Sequence, residues 1–223
     1  MKKNFLIFLM LILILIGSFM MIIKQSTKDN LITIAFLGDS ITQFGWEQED
    51  GYVRQVIAKL YENGIKTNPI PAGICGDTSI AMLNRMDSDV LNYKPDIMFF
   101  MGGLNDIWLN QSSVEEYKNN ITNILNKAEE NNVKIILLNL TVIGEDINSS
   151  MNKQIDSYNE FLSTITKERH ITLIDVNSEI KNEILKENKP NKNVLTTDGV
   201  HLNKKGNTIL ADTIVKKFLA EIK

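Results

Sequence analysis

The run Leu31-Ile32-Thr33-Ile34-Ala35-Phe36-Leu37, followed at once by Gly38-Asp39-Ser40, decides how the rest of the chain is read. An almost unbroken apolar run this short is a strand buried on both faces, the kind found in parallel sheets. A serine at the C-terminal end of such a strand stands where open α/β sheets place their chemistry. Serine is a poor nucleophile unless a histidine takes its proton and an acid orients that histidine. The far end of the chain offers both, in Asp198-Gly199-Val200-His201. Taken alone, Asp39 or Ser40 also suits a helix N-cap, so the serine has a purely structural reading too.

Outward from this strand, apolar β-rich runs alternate with helical patterns. Strands are predicted at residues 31–37, 66–70, 96–101, 133–139 and 171–175. Tyr52, Val53, Val56, Ile57 and Leu60 share one helical face, as do Val114, Tyr117, Ile121, Ile124, Leu125 and Ala128. Ser113 and Glu116 have the spacing of a capping box. Ile155, Tyr158, Leu162 and Ile165 mark another helix. Ile209, Leu210, Ile214, Val215 and Phe218 mark the last, with Asn203 as its N-cap. Strand–helix alternation of this kind predicts a parallel sheet covered on both faces. The polar stretch 187–197, which contains Pro190, reads as a loop leading to Asp198.

Composition narrows the function. Hydrophobic residues make up 43 % of the 223 residues, enough for a sizeable core. About 190 residues, 31–223, follow the N-terminal apolar run and the short polar stretch after it, which suits one domain. A formal charge of −3 gives no electrostatic footprint for nucleic acid. Cys75 is the single cysteine, which rules out an intrachain disulfide. Two histidines and one cysteine are too few for an ordinary His/Cys zinc site.

The N-terminus is a separate element. Lys2 and Lys3 precede an uncharged run of 19 residues, 5–23. That is close to the roughly 20 needed to span a bilayer and longer than the usual signal-peptide core. Residues 1–23 are therefore expected to be an uncleaved transmembrane anchor, 24–30 a linker and 31–223 the folded domain. Gly17-Ser18 leaves cleavage and secretion as the alternative. The lysines before the run put the N-terminus in the cytoplasm and the domain outside, at the cell membrane.

Three further segments complete the picture. Gly73-Ile74-Cys75-Gly76-Asp77 follows the second strand, and Gly102-Gly103-Leu104-Asn105-Asp106 follows the third. In a parallel sheet these emerge at the same edge as Ser40. Ester hydrolysis needs a nucleophile, a base and donors aimed at a developing oxyanion. Each piece has a plainer role as well: the glycines permit tight turns, Asn105 bonds local backbone, and Asp198 holds a turn. Cys75 lacks a second segment to supply it with a base, and His170 sits in a charged stretch. Trp46 and Trp108, in loops after motif strands, either line a pocket or cover the core.

Taken together, Ser40 in Gly-Asp-Ser, Gly76 in the glycine turn, Asn105 in Gly-x-Asn-Asp and His201 in Asp-x-x-His resemble the SGNH (GDSL-type) hydrolases, in order and in spacing. The resemblance spans roughly residues 31–223. It implies a three-layer α/β/α flavodoxin-like fold with a five-stranded parallel sheet of order 2-1-3-4-5. It implies Ser40 as nucleophile, His201 as base and Asp198 as the orienting acid. An oxyanion hole from the N–H groups of Ser40 and Gly76 and the side chain of Asn105 is implied too, with no metal or other cofactor. Trp46, Leu104 and Trp108 are candidate substrate contacts. One departure is visible, since Pro71 stands where such turns often begin with Asn. The family acts on lysophospholipids, thioesters, short acyl esters and acetylated sugars. A small-molecule, lipid or glycan ester is thus the expected substrate. Short-acyl or O-acetyl esters are favoured, because no long apolar lid segment is evident. Acyl transfer and a non-catalytic glycan-binding module remain alternatives.

Overall fold

The opening strand becomes β1 (Ile32–Gly38), and the sheet is built around it. On one side it pairs in parallel with β2 (Thr67–Gly73), on the other with β3 (Ile97–Met101). Beyond these lie β4 (Lys134–Leu138) and β5 (Thr172–Ile174), giving five parallel strands in the order β2-β1-β3-β4-β5. The computed structural model describes residues 31–110, 112–187 and 193–222. The anchor expected at residues 1–23 and the linker at 24–30 lie outside them. Among the described residues no helix is long and apolar enough to cross a membrane.

Parallel strands need crossover connections, and helices supply them. They are α1 (Ser40–Glu47), α2 (Tyr52–Glu62), α3 (Ser79–Asp89), α4 (Leu104–Trp108), α5 (Val114–Glu130) and α6 (Ser150–Glu168); α7 (Val176–Glu187) and α8 (Lys204–Glu221) follow the last strand. Phe36 of β1 stacks on Phe99 of β3 at 5.3 Å, and Phe218 of α8 meets Phe99 edge-on at 5.7 Å. Neighbouring strand residues point to opposite faces. Leu37 and Phe100 therefore face the other way, and both are buried as deeply. The sheet is covered on both faces, as its apolar strands require.

The expected helix starts are present. Ser113 and Glu116 form a reciprocal capping box at α5, and Asn203 caps α8 through the Gly206 N–H at 3.1 Å. The second strand runs three residues further than its sequence suggested, through both Pro69 and Pro71. The Ile32 N–H donates to the Lys66 carbonyl, and the Ile74 N–H to the Gly38 carbonyl. Even-numbered residues of β2 thus face β1, and both prolines turn their missing N–H toward the open edge, where it costs nothing.

Two glycines let α1 sit directly against the strand ends. A Cβ on Gly38 would lie 2.2 Å from Thr42 Oγ1 and 2.8 Å from the Met101 carbonyl. One on Gly73 would lie 2.2 Å from the backbone nitrogen of Gln43. This close approach sets the first turn of α1, and Ser40 with it, at the C-terminal edge of the sheet.

Candidate active site

Asp39 and Ser40 divide the two tasks that sequence left open between them. Asp39 is the N-cap of α1, accepting from the Ile41 N–H at 2.9 Å. Burial pushes its carboxyl up to about 6, against the pull of that hydrogen bond. Ser40 is thereby released from capping, and its hydroxyl lies 2.8 Å from His201 Nε2. His201 Nδ1 is 2.6 Å from Asp198 Oδ2. The other Asp198 oxygen accepts from the N–H groups of Val200 and His201, at 3.0 and 2.8 Å. Partial burial draws the Asp198 carboxyl upward, but the hydrogen bonds from the His201 ring and from these two N–H groups prevail and hold it down at about 2. An ionised Asp198 fixes the tautomer: Nδ1 carries the hydrogen, and Nε2 is left to accept from Ser40.

The loop around Asp198 is shaped from several sides. Gly199 has φ +97°, in the range that favours glycine, and its carbonyl accepts from the Gly144 N–H at 2.7 Å. Phe44, one turn into α1, meets the His201 ring edge-on at 4.9 Å.

Gly76 and Asn105 reach the same place from the ends of β2 and β3. Gly76 has φ +81° with open space where a Cβ would be, so it is the backbone conformation and not crowding that calls for glycine. Asn105 Nδ2 donates one hydrogen to the Asp77 carbonyl at 2.9 Å, which leaves its second for a ligand. Asp106 is turned inward. Its carboxylate accepts from the Ser79 N–H at 2.8 Å and the Ser79 hydroxyl at 2.5 Å, pinning α4 to the start of α3.

Ser40, Gly76, Asn105, Asp198 and His201 line one cleft of about 360 Å³. Leu104 and Trp108 are on its wall, Leu104 nearly buried and Trp108 53 % exposed. Trp46 is not. It lies on α1 with the Arg54 guanidinium 4.9 Å from its ring, and it faces a separate groove shared with Tyr61. Both tryptophans are on helices, not in loops. Cys75 also lines the cleft, but partial burial and then the Glu47 and Asp39 carboxylates push its thiol up, away from the reactive thiolate.

Sequence reasoning missed Phe44, Ile143 and Val200 in the cleft wall. It also missed Arg85. This guanidinium bonds Asp77 at 2.5 Å, the Gly38 carbonyl at 3.0 Å and the Ala72 carbonyl at 2.9 Å. It braces the ends of β1 and β2 against the turn that holds Gly76. An arginine in mid-helix carries no local signal of such a role.

The profile of the GDSL-like Lipase/Acylhydrolase family matches residues 36–209. The chain belongs to this family, and it is a carboxylic ester hydrolase. It is 28 % identical over 212 residues to an acetylxylan esterase of Geobacillus stearothermophilus, covering 85 % of this chain and 93 % of that protein. It is also 28 % identical over 109 residues to the esterase TesA of Pseudomonas aeruginosa, covering 48 % and 54 %. The crystal structure of the acetyl xylan esterase AlAXEase superposes with a TM-score of 0.78 at 30 % identity, over 83 % of this chain and 99 % of that one.

The depressed Asp198 carboxyl has a consequence for stability. Its folded value, about 2, lies below the ordinary 3.8, so ionisation favours the folded state. That contribution is complete above about pH 4 and is lost as the pH falls toward 2. The melting-temperature gap between wild type and Asp198→Asn should therefore narrow from about pH 5 to about pH 2.5. A gap that stays constant over this range, measured by calorimetry, would show that the bonds to His201 and the loop do not depress this carboxyl.

Proposed function

We propose that this chain is an extracytoplasmic serine esterase that removes short acyl groups, acetyl above all, from carbohydrate hydroxyls through an acyl-enzyme on Ser40. The observation that carries the reading is the relay from Asp198 through His201 to Ser40, with contacts of 2.6 and 2.8 Å, opening into a small cleft.

The chemistry follows from the donors and acceptors. Ser40 Oγ attacks the ester carbonyl carbon while its proton passes to His201 Nε2. The imidazolium that forms is stabilised by the Asp198 carboxylate. The carbonyl oxygen, now negative, accepts from the N–H groups of Ser40 and Gly76 and from the free Asn105 hydrogen. As the tetrahedral centre collapses, His201 returns the proton to the departing alcohol oxygen. Water then loses a proton to His201 and attacks the acyl-serine. The acid leaves, and Ser40 recovers its hydrogen.

Several observations support the substrate assignment. The cleft lies at the small end of ligand pockets, which run from about 300 to 1,000 Å³. Leu104, Ile143 and Val200 give it an apolar wall of the right scale for a short acyl group. Trp108, half exposed at the rim, offers a flat face to a sugar ring. Two similar proteins are acetylxylan esterases by name. The uncharged run at 5–23 with Lys2 and Lys3 before it supports a domain outside the cytoplasm, held near the membrane.

A series of acyl esters tests the reading directly. For wild type, kcat/KM on acetylated xylo-oligosaccharides should exceed that on octanoyl esters by roughly tenfold or more, since a small pocket discriminates by methylene count. Preference for the long chain would overturn the short-acyl assignment. In the same assay Asn105→Ala should lower kcat by about 10²–10³-fold. KM should change little, because the donor meets charge that exists only in the transition state. A kcat equal to wild type would remove Asn105 from the oxyanion hole. Protease added to intact, wall-stripped cells should release the domain; protection until lysis would place it inside.

A further inference from the structure

Glu145, in the loop between β4 and α6, carries a carboxylate that the chemistry above does not use. Its Oε1 accepts from the Leu195 N–H at 2.8 Å, the Thr196 N–H at 2.8 Å and the Thr196 hydroxyl at 2.7 Å. Its Oε2 accepts from the Val194 N–H at 2.5 Å. Three successive backbone donors and one hydroxyl thus converge on one side chain. Leu195 and Thr196 are buried, so their donors have no water to turn to if this carboxylate is removed.

The other edge of the same segment pairs with the catalytic loop. Thr196 bridges Leu202 in antiparallel fashion. The Thr197 N–H donates to the His201 carbonyl at 2.8 Å, and the Asn203 N–H to the Leu195 carbonyl at 2.9 Å. Residues 194–197 are therefore a short rail with Glu145 on one edge and His201 on the other. Glu145 is itself presented by a rigid loop. The buried Asn152 of α6 accepts from the Ile143 N–H at 3.1 Å and donates to the carbonyls of Ile143, Gly144 and Asp146 at 3.1, 3.1 and 2.8 Å.

We propose that Glu145 is a positioning residue whose carboxylate fixes the 194–197 rail and, through it, sets His201 against Ser40. The proposal rests on the reading of Ser40 and His201 as nucleophile and base. A displacement of about 1 Å at a reacting pair can cost about 10²-fold in rate. A glutamine at 145 keeps an oxygen for three of the four donors but turns an NH₂ group toward the Val194 N–H, so it holds the rail incompletely.

Glu145→Ala and Glu145→Gln separate positioning from mere stapling of the fold. Each is assayed well below its own melting transition, on an acetyl ester, beside wild type. The alanine variant should lose about 10–100-fold in kcat and the glutamine variant about 3–10-fold, with KM within about twofold for both. Labelling of Ser40 by a fluorophosphonate probe should slow in the same ratios. Wild-type kcat in Glu145→Gln, or in Glu145→Ala where that variant folds, would overturn the proposal even if the melting temperature fell. Should the alanine variant not fold, the glutamine variant decides alone. Absence of ester hydrolysis by wild type would instead strike the underlying reading of Ser40 and His201, so the two failures are distinguishable.

Discussion

A hydrogen bond of 2.8 Å joins Ser40 to His201, residues 161 positions apart, and the rest of the site is arranged to make it possible. In the proposed chemistry neither partner is useful by itself. The serine needs an acceptor for its proton, and the imidazole needs the Asp198 carboxylate at 2.6 Å to hold its tautomer and to carry the charge it gains. The contact must also lie beside donors for the oxyanion. Three chain segments have to arrive at one edge of the sheet within fractions of an ångström, and a fourth has to come down on them from above.

The sheet solves the first part of this problem by topology. All five strands run in parallel, so β1, β2 and β3 deliver Ser40, Gly76 and Asn105 to the same side. Gly38 and Gly73 allow α1 to begin in contact with the strand ends, where any Cβ would collide. Asp39 takes the capping bond and leaves the serine hydroxyl free. Arg85 then ties the ends of β1 and β2 to the Asp77 turn from below, with Asp77 itself holding Asn105 through its carbonyl. The His201 loop has no strand to position it and is held by neighbouring loops instead, through Gly144 and Glu145.

What was legible in the sequence was whatever depends on local pattern. The apolar run ending in Gly38-Asp39-Ser40 announced a buried strand with a serine at its tip. The stripes at Tyr52–Leu60 and Val114–Ala128 and the cap at Ser113 are periodic or adjacent features, and each became the element it suggested. The misses depend on context. Pro69 and Pro71 look like strand breakers until β2 is known to be an edge strand with both imide nitrogens outward. Helix α7 buries only Val176, Ile180 and Ile184 of its apolar residues, with Leu185 exposed, too thin a stripe to stand out. Trp46 follows the serine by six residues, but the turn of α1 carries it away from the cleft. Arg85 and Glu145 act mainly on backbone atoms 13 to 51 residues distant, and backbone partners leave no mark on sequence.

The proposed chemistry places one covalent bond at the centre of the mechanism, between Ser40 Oγ and the acyl carbon. The most direct measurement is an acid-quenched reaction with an activated acetyl ester, followed by peptide mass mapping within the first turnover. Acetyl should appear on the peptide containing Ser40, rise before free acetate reaches steady state, and be absent from Ser40→Ala. Acetate release without any acyl-protein, or acetyl carried on the Cys75 peptide in place of Ser40, would contradict it.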